Sequence, residues 1–175
     1  MKKVLITNIA ISYCLFLPLF APLCTNAAEH REPQHNIVYG TQTANCGPLV
    51  LQRIFASYKK DVPIETLIQQ CDVTTSGFCS LSDLQNAVSE NGFYAKPIET
   101  NYEGLIELKQ KGYELICHFS DNKHFVRILK IENNSISFFD PNWKVNEENT
   151  HKLPKLQFCE EWQGYALMIS DKQIK

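Results

Sequence analysis

The stretch TANCGPLVLQRIF, from Thr43 to Phe55, places a single cysteine in front of a Gly-Pro pair and an apolar run. From Pro48 onward, apolar residues recur at helical spacing, at Leu49, Leu51, Ile54, Phe55 and Tyr58. Proline suits the first turn of a helix, where its missing N–H costs nothing. The pattern therefore predicts a helix whose N-terminus lies beside Cys46.

The rest of the chain is predicted to form more helices and then a run of strands. Short helices are predicted over 64–70, over 80–92 with Asn91-Gly92 at the end, and over 102–111. Strands are predicted over 113–119, 124–131, 135–139 and 162–169, with Asn133-Asn134 as a turn. This order indicates an α+β fold in which N-terminal helices pack on a C-terminal antiparallel β-sheet.

The first 27 residues are typical of a secretory signal peptide. Met1-Lys2-Lys3 supplies a positive end, residues 4–23 are largely apolar, and small residues follow up to Ala28. A transmembrane anchor is the alternative, but Thr7, Asn8, Ser12 and Pro18 interrupt the apolar stretch. We therefore expect a single domain over residues 28–175, periplasmic or secreted, with no stable membrane span after removal of the signal.

Composition and charge restrict the class of protein. Apolar residues make up 44% of the chain, which is enough to bury one core. Without residues 1–27, which carry Lys2 and Lys3 but no acidic residue, the formal charge changes from −2 to −4. An acidic chain without a basic run does not favour nucleic-acid binding. The sequence calls for no cofactor.

An exported chain is expected to oxidise its cysteines in pairs. Of seven cysteines, Cys14 and Cys24 lie in the signal segment, and Cys46, Cys71, Cys79, Cys117 and Cys159 remain. An odd number suggests two disulfides and one free thiol. Pairing Cys71 with Cys79 and Cys117 with Cys159 leaves Cys46 free, although other pairings stay open. No CxxC or HxxxH spacing supports a metal site.

Cys46 is a candidate nucleophile, with burial or a disulfide as the structural alternatives. A thiolate attacks carbonyl groups, and a helix N-terminus or a cationic histidine stabilises it. Gly47 is expected to leave room for a substrate backbone to approach. Unpaired N–H groups at the start of the helix would bind an oxyanion.

His124 and Asp140 are the candidate base and its orienting partner. His124 opens a predicted strand, and the hairpin brings Asp140, at the end of the next strand, back towards it. With a strict Asn133-Asn134 turn, the two side chains would face opposite sides of the sheet. We therefore expect an odd-length loop, a bulge, or an Asp140 just beyond the ladder. His118 competes as base, while His30, His35 and His151 lie in polar stretches and are expected to be solvated.

Four motifs together resemble the C39 family of papain-like cysteine peptidases, which are best known from bacteriocin export. Asn45-Cys46-Gly47-Pro48 is similar to the cysteine motif of that family. The other motifs are Ser80-Leu81-Ser82-Asp83-Leu84 with Asn91-Gly92-Phe93, then His124-Phe125-Val126 with Asp140-Pro141, and finally Trp162-Gln163-Gly164-Tyr165. The resemblance covers residues 42–169 and implies a papain-like fold, with Cys46 as nucleophile, His124 as base and Asp140 as orienter.

Two departures from the family pattern concern the site. The family carries an oxyanion-hole Gln six residues before the cysteine, where this chain has Gly40, so Gln42 is the nearest candidate. Asn142-Trp143 follows Asp140-Pro141, where Gly is commoner.

The resemblance implies a peptide substrate, with cleavage after a Gly-Gly leader as one option. The predicted function is an exported cysteine peptidase that acts on an exported or surface peptide. Three alternatives remain: a catalytically silent peptide-binding domain, a papain-like acyl transferase similar to phytochelatin synthase, and a structural disulfide protein.

Overall fold

The elements follow one another as helices first and mostly strands afterwards. The structure is a computed structural model that describes residues 45–73, 78–119, 123–142 and 149–174. These residues all belong to one compact unit, Ile37–Lys175. In chain order the elements are α1 Cys46–Ser57, α2 Ile64–Gln70, α3 Leu81–Glu90, β1 Tyr94–Glu99, α4 Tyr102–Gln110, β2 Glu114–Phe119, β3 His124–Glu132, β4 Ser135–Phe139, β5 Thr150–Pro154, α5 Lys155–Glu161 and β6 Tyr165–Ser170. The predicted signal peptide, residues 1–27, and Gln42 lie outside the described residues.

The strands form one six-stranded sheet in the order β1-β6-β2-β3-β4-β5. Every pair of neighbouring strands is antiparallel, which confirms the predicted α+β class. β2 lies inside the sheet and reads Glu-Leu-Ile-Cys-His-Phe, with Leu115, Ile116 and Cys117 all fully buried. Such an unbroken apolar run suits a strand that is covered on both faces.

Helices cover both faces of the sheet. The helices α1, α2 and α3 share one hydrophobic cluster with Ile116, Phe125, Phe139, Leu167 and Ile169 of the strands. Residues of α4 and α5 share a second cluster with the alternate strand residues, including Leu115, Val126, Ile128, Phe138 and Ala166. From α1, Val50, Leu51, Ile54 and Phe55 are fully buried, and burial of such a side chain contributes about 1.5–3 kcal/mol. The first cluster therefore fixes α1, and with it Cys46, on the sheet.

The hairpin of β3 and β4 contains the predicted irregularity. Next to the Asn133-Asn134 turn, Glu132 pairs with Ser135, as a two-residue turn requires. The register then shifts between Ile128 and Lys130, so that Leu129 is an extra residue on β3. A bulge of one residue reverses which side chains share a face. Beyond the bulge, the new register places the side chains of His124 and Asp140 on the same face of the sheet. Asp140 also lies just past the end of β4.

Three elements were not predicted: β1, β5 and α5. β1 and β5 are the two edge strands of the sheet. β1 pairs with β6, which is distant in sequence, and β5 pairs with β4, the strand before it in the chain. β1 contains Pro97, which is tolerated at an edge because that residue needs no ladder hydrogen bond on its open side. The closing strand starts at Tyr165 rather than Trp162, whose indole Nε1 donates to the Tyr165 carbonyl over 2.8 Å.

Candidate active site

Cys46 is the first residue of α1. The helix is closed by a hydrogen bond of 2.9 Å from the Leu49 N–H to the Asn45 carbonyl. The N–H groups of Cys46 and Gly47 come too early in the helix to have an intrahelical acceptor. The positive end of the helix dipole therefore lies at the thiol, and two backbone donors point out of the same turn.

Gly47 meets a packing requirement in the structure, and its role in substrate approach stays a prediction. A Cβ at this position would lie 2.6 Å from Cys79 Sγ and 2.9 Å from Leu84 Cδ2. It would also lie 3.5 Å from Phe125 Cδ2. The absence of a side chain lets the first turn of α1 press against α3 and β3, and Phe125 is the residue next to His124. The close packing at Gly47 thus places Cys46 near His124.

His124 and Asp140 form a buried pair. His124 Nε2 lies 2.8 Å from Asp140 Oδ1, and the two residues are 1% and 0% exposed. The second carboxylate oxygen, Oδ2, has no hydrogen-bond partner among the described residues. Because the carboxylate accepts at Nε2, it places a ring proton there and leaves Nδ1 for proton exchange.

The Cys46 side chain lies close enough to the same imidazole to influence its pKa. Burial lowers the pKa of His124, whereas the hydrogen bond to Asp140 and the nearby Cys46 raise it, to about 9 overall. Since Asp140 takes Nε2, Nδ1 is the ring nitrogen through which a thiol could exchange a proton. The three residues chosen from sequence are therefore together in space, and they can exchange a proton between a thiol and an imidazole that a carboxylate orients.

Asn142 is a site residue that sequence reasoning did not select. Its backbone N–H donates to Asp140 Oδ1 over 2.8 Å, and its side-chain Nδ2 lies 3.2 Å from His124 Nδ1. The only signal in the sequence was an amide side chain two residues after the aspartate, where the family more commonly has Gly.

The other histidines lie elsewhere. His118 stacks on Phe125 with ring centroids 4.7 Å apart, and burial, together with the nearby His124, lowers its pKa. His118 has no contact of its own with Asp140 in the described structure, whereas His124 does. His151 is buried on β5, with its ring 5.7 Å from that of Phe138, so the expectation that it is solvated is wrong. A position facing the core on an unpredicted strand explains the error.

The described cysteines form no disulfide, contrary to the expectation from sequence. The pairing of Cys117 with Cys159 is wrong because Cys117 is buried inside the sheet, while Cys159 is exposed on α5. There it follows Phe158, which points into the core. Cys71 and Cys79 do lie near each other as free thiols, and the influence of Cys71 together with burial raises the pKa of Cys79. Cys46 carries no disulfide.

Two further observations concern the described residues. They contain no group of three or more His, Cys, Asp or Glu side chains placed to hold a metal ion. Within the same ranges, no helix has both the length and the apolar character needed to cross a bilayer. The candidate oxyanion residue Gln42 lies outside them.

The sequence matches the Peptidase C39 family over residues 34–174. No curated protein sequence matches the chain.

Solved structures that are similar to this chain include three from transporter or secretion proteins. The peptidase domain of Streptococcus ComA, a bi-functional ABC transporter involved in a quorum sensing pathway, has 22% identity and a TM-score of 0.65, covering 75% of this chain and 95% of that one. A double glycine motif protease from an AMS/PCAT transporter, in complex with the leader peptide, has 26% identity and a TM-score of 0.62, covering 75% and 88%. The N-terminal peptidase C39 like domain of a Vibrio parahaemolyticus toxin secretion ATP-binding protein has 13% identity and a TM-score of 0.55, covering 76% and 100%.

Proposed function

Because the chain belongs to the Peptidase C39 family, we propose that it is a cysteine peptidase that works through an acyl-enzyme. Cys46 is the nucleophile, His124 the general base and acid, and Asp140 the orienting residue. The observation that carries the proposal is the 2.8 Å contact between His124 Nε2 and Asp140 Oδ1, on a ring whose pKa the nearby Cys46 also influences. These are the groups that nucleophilic acyl transfer requires.

Acylation begins with transfer of the Cys46 proton to Nδ1 of His124. The thiolate attacks the carbonyl carbon of the substrate, a C–S bond forms, and the carbonyl oxygen becomes an oxyanion. The backbone N–H groups of Cys46 and Gly47 are the donors that this oxyanion meets at the start of α1. When the carbonyl reforms, the C–N bond breaks, and Nδ1–H of His124 protonates the leaving nitrogen.

Deacylation repeats these steps with water. His124, now neutral, takes a proton from water as the oxygen attacks the thioester carbon. The C–S bond breaks, and the Cys46 thiolate leaves beside a protonated His124. Asp140 keeps its position at Nε2 throughout, which holds the ring in one orientation and stabilises the imidazolium.

We propose a peptide substrate with a Gly-Gly leader. Support comes from the similar protease of the AMS/PCAT transporter, which is described as a double glycine motif protease in complex with the leader peptide. The lysine-initiated apolar segment at residues 2–23 favours export. The substrate is then an exported or surface peptide, met in the periplasm or outside the cell. Mass spectrometry of the mature N-terminus checks the export step, with Ala28 as the expected first residue.

Cleavage of peptides that contain a Gly-Gly site tests the function. The full chain is compared with Cys46→Ala and with Cys159→Ala, a matched control at an exposed cysteine on α5. We expect Cys46→Ala to abolish cleavage and Cys159→Ala to retain it. Equal cleavage by the Cys46→Ala variant contradicts the proposal, and binding without cleavage by the wild type supports the silent peptide-binding alternative.

The transferase alternative shares the same acyl-enzyme. An added amine acceptor competes with water at the thioester, so the ratio of amide to acid product separates the two activities. We expect the free acid to be the main product at millimolar amine, because a hydrolase transfers the acyl group to water.

A further inference from the structure

Asn142 contacts both members of the His124–Asp140 pair. Its backbone N–H donates to Asp140 Oδ1 over 2.8 Å, the same oxygen that meets His124 Nε2. Its side-chain Nδ2 lies 3.2 Å from His124 Nδ1, the other ring nitrogen. Residues 140–142 therefore hold the imidazole at both of its nitrogens, with the carboxylate on one side and the amide on the other.

The amide contact is specific for one protonation state of the ring. In the orientation that the structure shows, the amide presents its nitrogen to Nδ1, and because this nitrogen donates and does not accept, the hydrogen bond exists only while Nδ1 carries no proton. Asp140 accepts at Nε2, and so the neutral ring has its single proton on Nε2 and an acceptor at Nδ1. A hydrogen bond that is made to the neutral form disfavours the charged form. Asn142 and Asp140 thus act on the protonation of His124 in opposite directions.

We propose that Asn142 is a positioning residue that favours the neutral form of His124 and so helps the ring to release its proton. This inference rests on the proposed function. The ring has to give the Nδ1 proton to the leaving nitrogen and has to be neutral before it activates water. A ring held too firmly in its charged form performs neither step well.

Other groups near His124 have to be separated from this effect. The titratable groups that face it in the described part of the chain are Asp140, Cys46 and, from β2, His118. The adjacent Lys123 directs its ammonium over the Phe78 ring, 4.8 Å from the centroid. Burial lowers the pKa of His124 while Asp140 and Cys46 raise it. Asn142 adds to the influence of burial.

The test is an NMR titration of the His124 ring nitrogens in the full chain, with His118 assigned separately. Asn142→Leu keeps the approximate size of the side chain, Asn142→Ala removes it, and Asn134→Ala in the distant exposed turn is the matched control. We expect both Asn142 variants to titrate roughly half to one pH unit above the wild type, since one hydrogen bond corresponds to about a three- to tenfold change in the protonation ratio. Asn134→Ala should titrate with the wild type.

Turnover provides the second measurement. We expect peptide cleavage by both Asn142 variants to fall about three- to tenfold, while alkylation of Cys46 by iodoacetamide near neutral pH is retained. A His124 titration that is unchanged or lower in both variants overturns the inference, because a purely structural role predicts no rise. If the wild type does not cleave the peptide, the proposed function alone is contradicted. The pH at which His124 titrates in the wild type and in the Asn142 variants still decides the role of Asn142.

Discussion

His124 Nε2 and Asp140 Oδ1 lie 2.8 Å apart although Asp140 is past the end of β4. Beyond the bulge, Arg127 pairs with Phe139, so Asp140 follows in register with Val126, two residues from His124. Residues two apart on a strand share a face, and the contact is therefore a diagonal one. Without the extra residue Leu129, the imidazole and the carboxylate would face opposite sides of the sheet.

Asp140→Asn should impair the site without a change in side-chain size. An amide does not stabilise the imidazolium, and it favours the wrong ring tautomer as readily as the right one. We expect peptide cleavage to fall by about 100-fold or more. The control is Asp61→Asn, in the connection between α1 and α2. A loss that appears equally in both variants would mean that Asp140 has no special relation to His124.

The stability of the fold should decrease at alkaline pH because of His124. Its pKa is about 9 in the folded chain, since the Asp140 hydrogen bond and the nearby Cys46 outweigh the opposing effect of burial, against about 6.5 in an unfolded chain. A raised pKa stabilises the fold fully below about pH 6.5, and this contribution is lost as the pH rises through about 9. The difference corresponds to about 3 kcal/mol.

Urea unfolding at pH 6, 8 and 10 measures this effect. The wild type should lose more free energy of unfolding across the range than His124→Gln, whose side chain does not titrate. If the two proteins lose the same amount, the alkaline instability comes from other groups.

Gly47→Ala should displace the first turn of α1. The new Cβ would lie 2.6 Å from Cys79 Sγ and 2.9 Å from Leu84 Cδ2, so one of these neighbours has to move. We expect a loss of about 1–3 kcal/mol in unfolding free energy, as for other overpacked sites, together with slower alkylation of Cys46. Gly92→Ala is the control, because Gly92 has φ +79 but no atom within 4 Å of the added Cβ. It should cost stability while Cys46 alkylation stays at the wild-type rate.

The thiols should react in a definite order with iodoacetamide. Cys46 is expected first, because His124 can take the proton of the thiol and the N-terminus of α1 lies at the sulfur. The exposed Cys159 follows, with a pKa that burial raises, and Cys117, whose pKa burial raises well above the usual value, should react only on unfolding. Peptide mapping after short reaction times with iodoacetamide identifies which cysteines are alkylated first. In the His124→Gln variant, Cys46 should no longer be alkylated before the other cysteines. If Cys46 still reacts first in that variant, the imidazole does not activate the thiol.

Much of the fold follows from local patterns in the sequence. The helical spacing after Pro48 predicts α1, and three residues of that pattern, Leu51, Ile54 and Phe55, are buried in the core. The capping chemistry at Ser80 predicts α3, and the structure has a capping box there between Ser80 and Asp83. The edge strands β1 and β5 escaped prediction because their short, mixed sequences become strands only through pairing with β6 and β4.

The sequence by itself determined the order of helices and strands, the cysteine at a helix start, and the need for an irregular β3–β4 hairpin. Those features depend on residues near one another in the chain, where spacing and parity have direct consequences. Only the tertiary structure decided that Gly47 serves packing and that Cys117 and Cys159 do not pair. It also decided that Asn142 Nδ2 lies 3.2 Å from Nδ1 of His124. These contacts join residues from separate elements, and their distances depend on how α1, the sheet and residues 140–142 pack together.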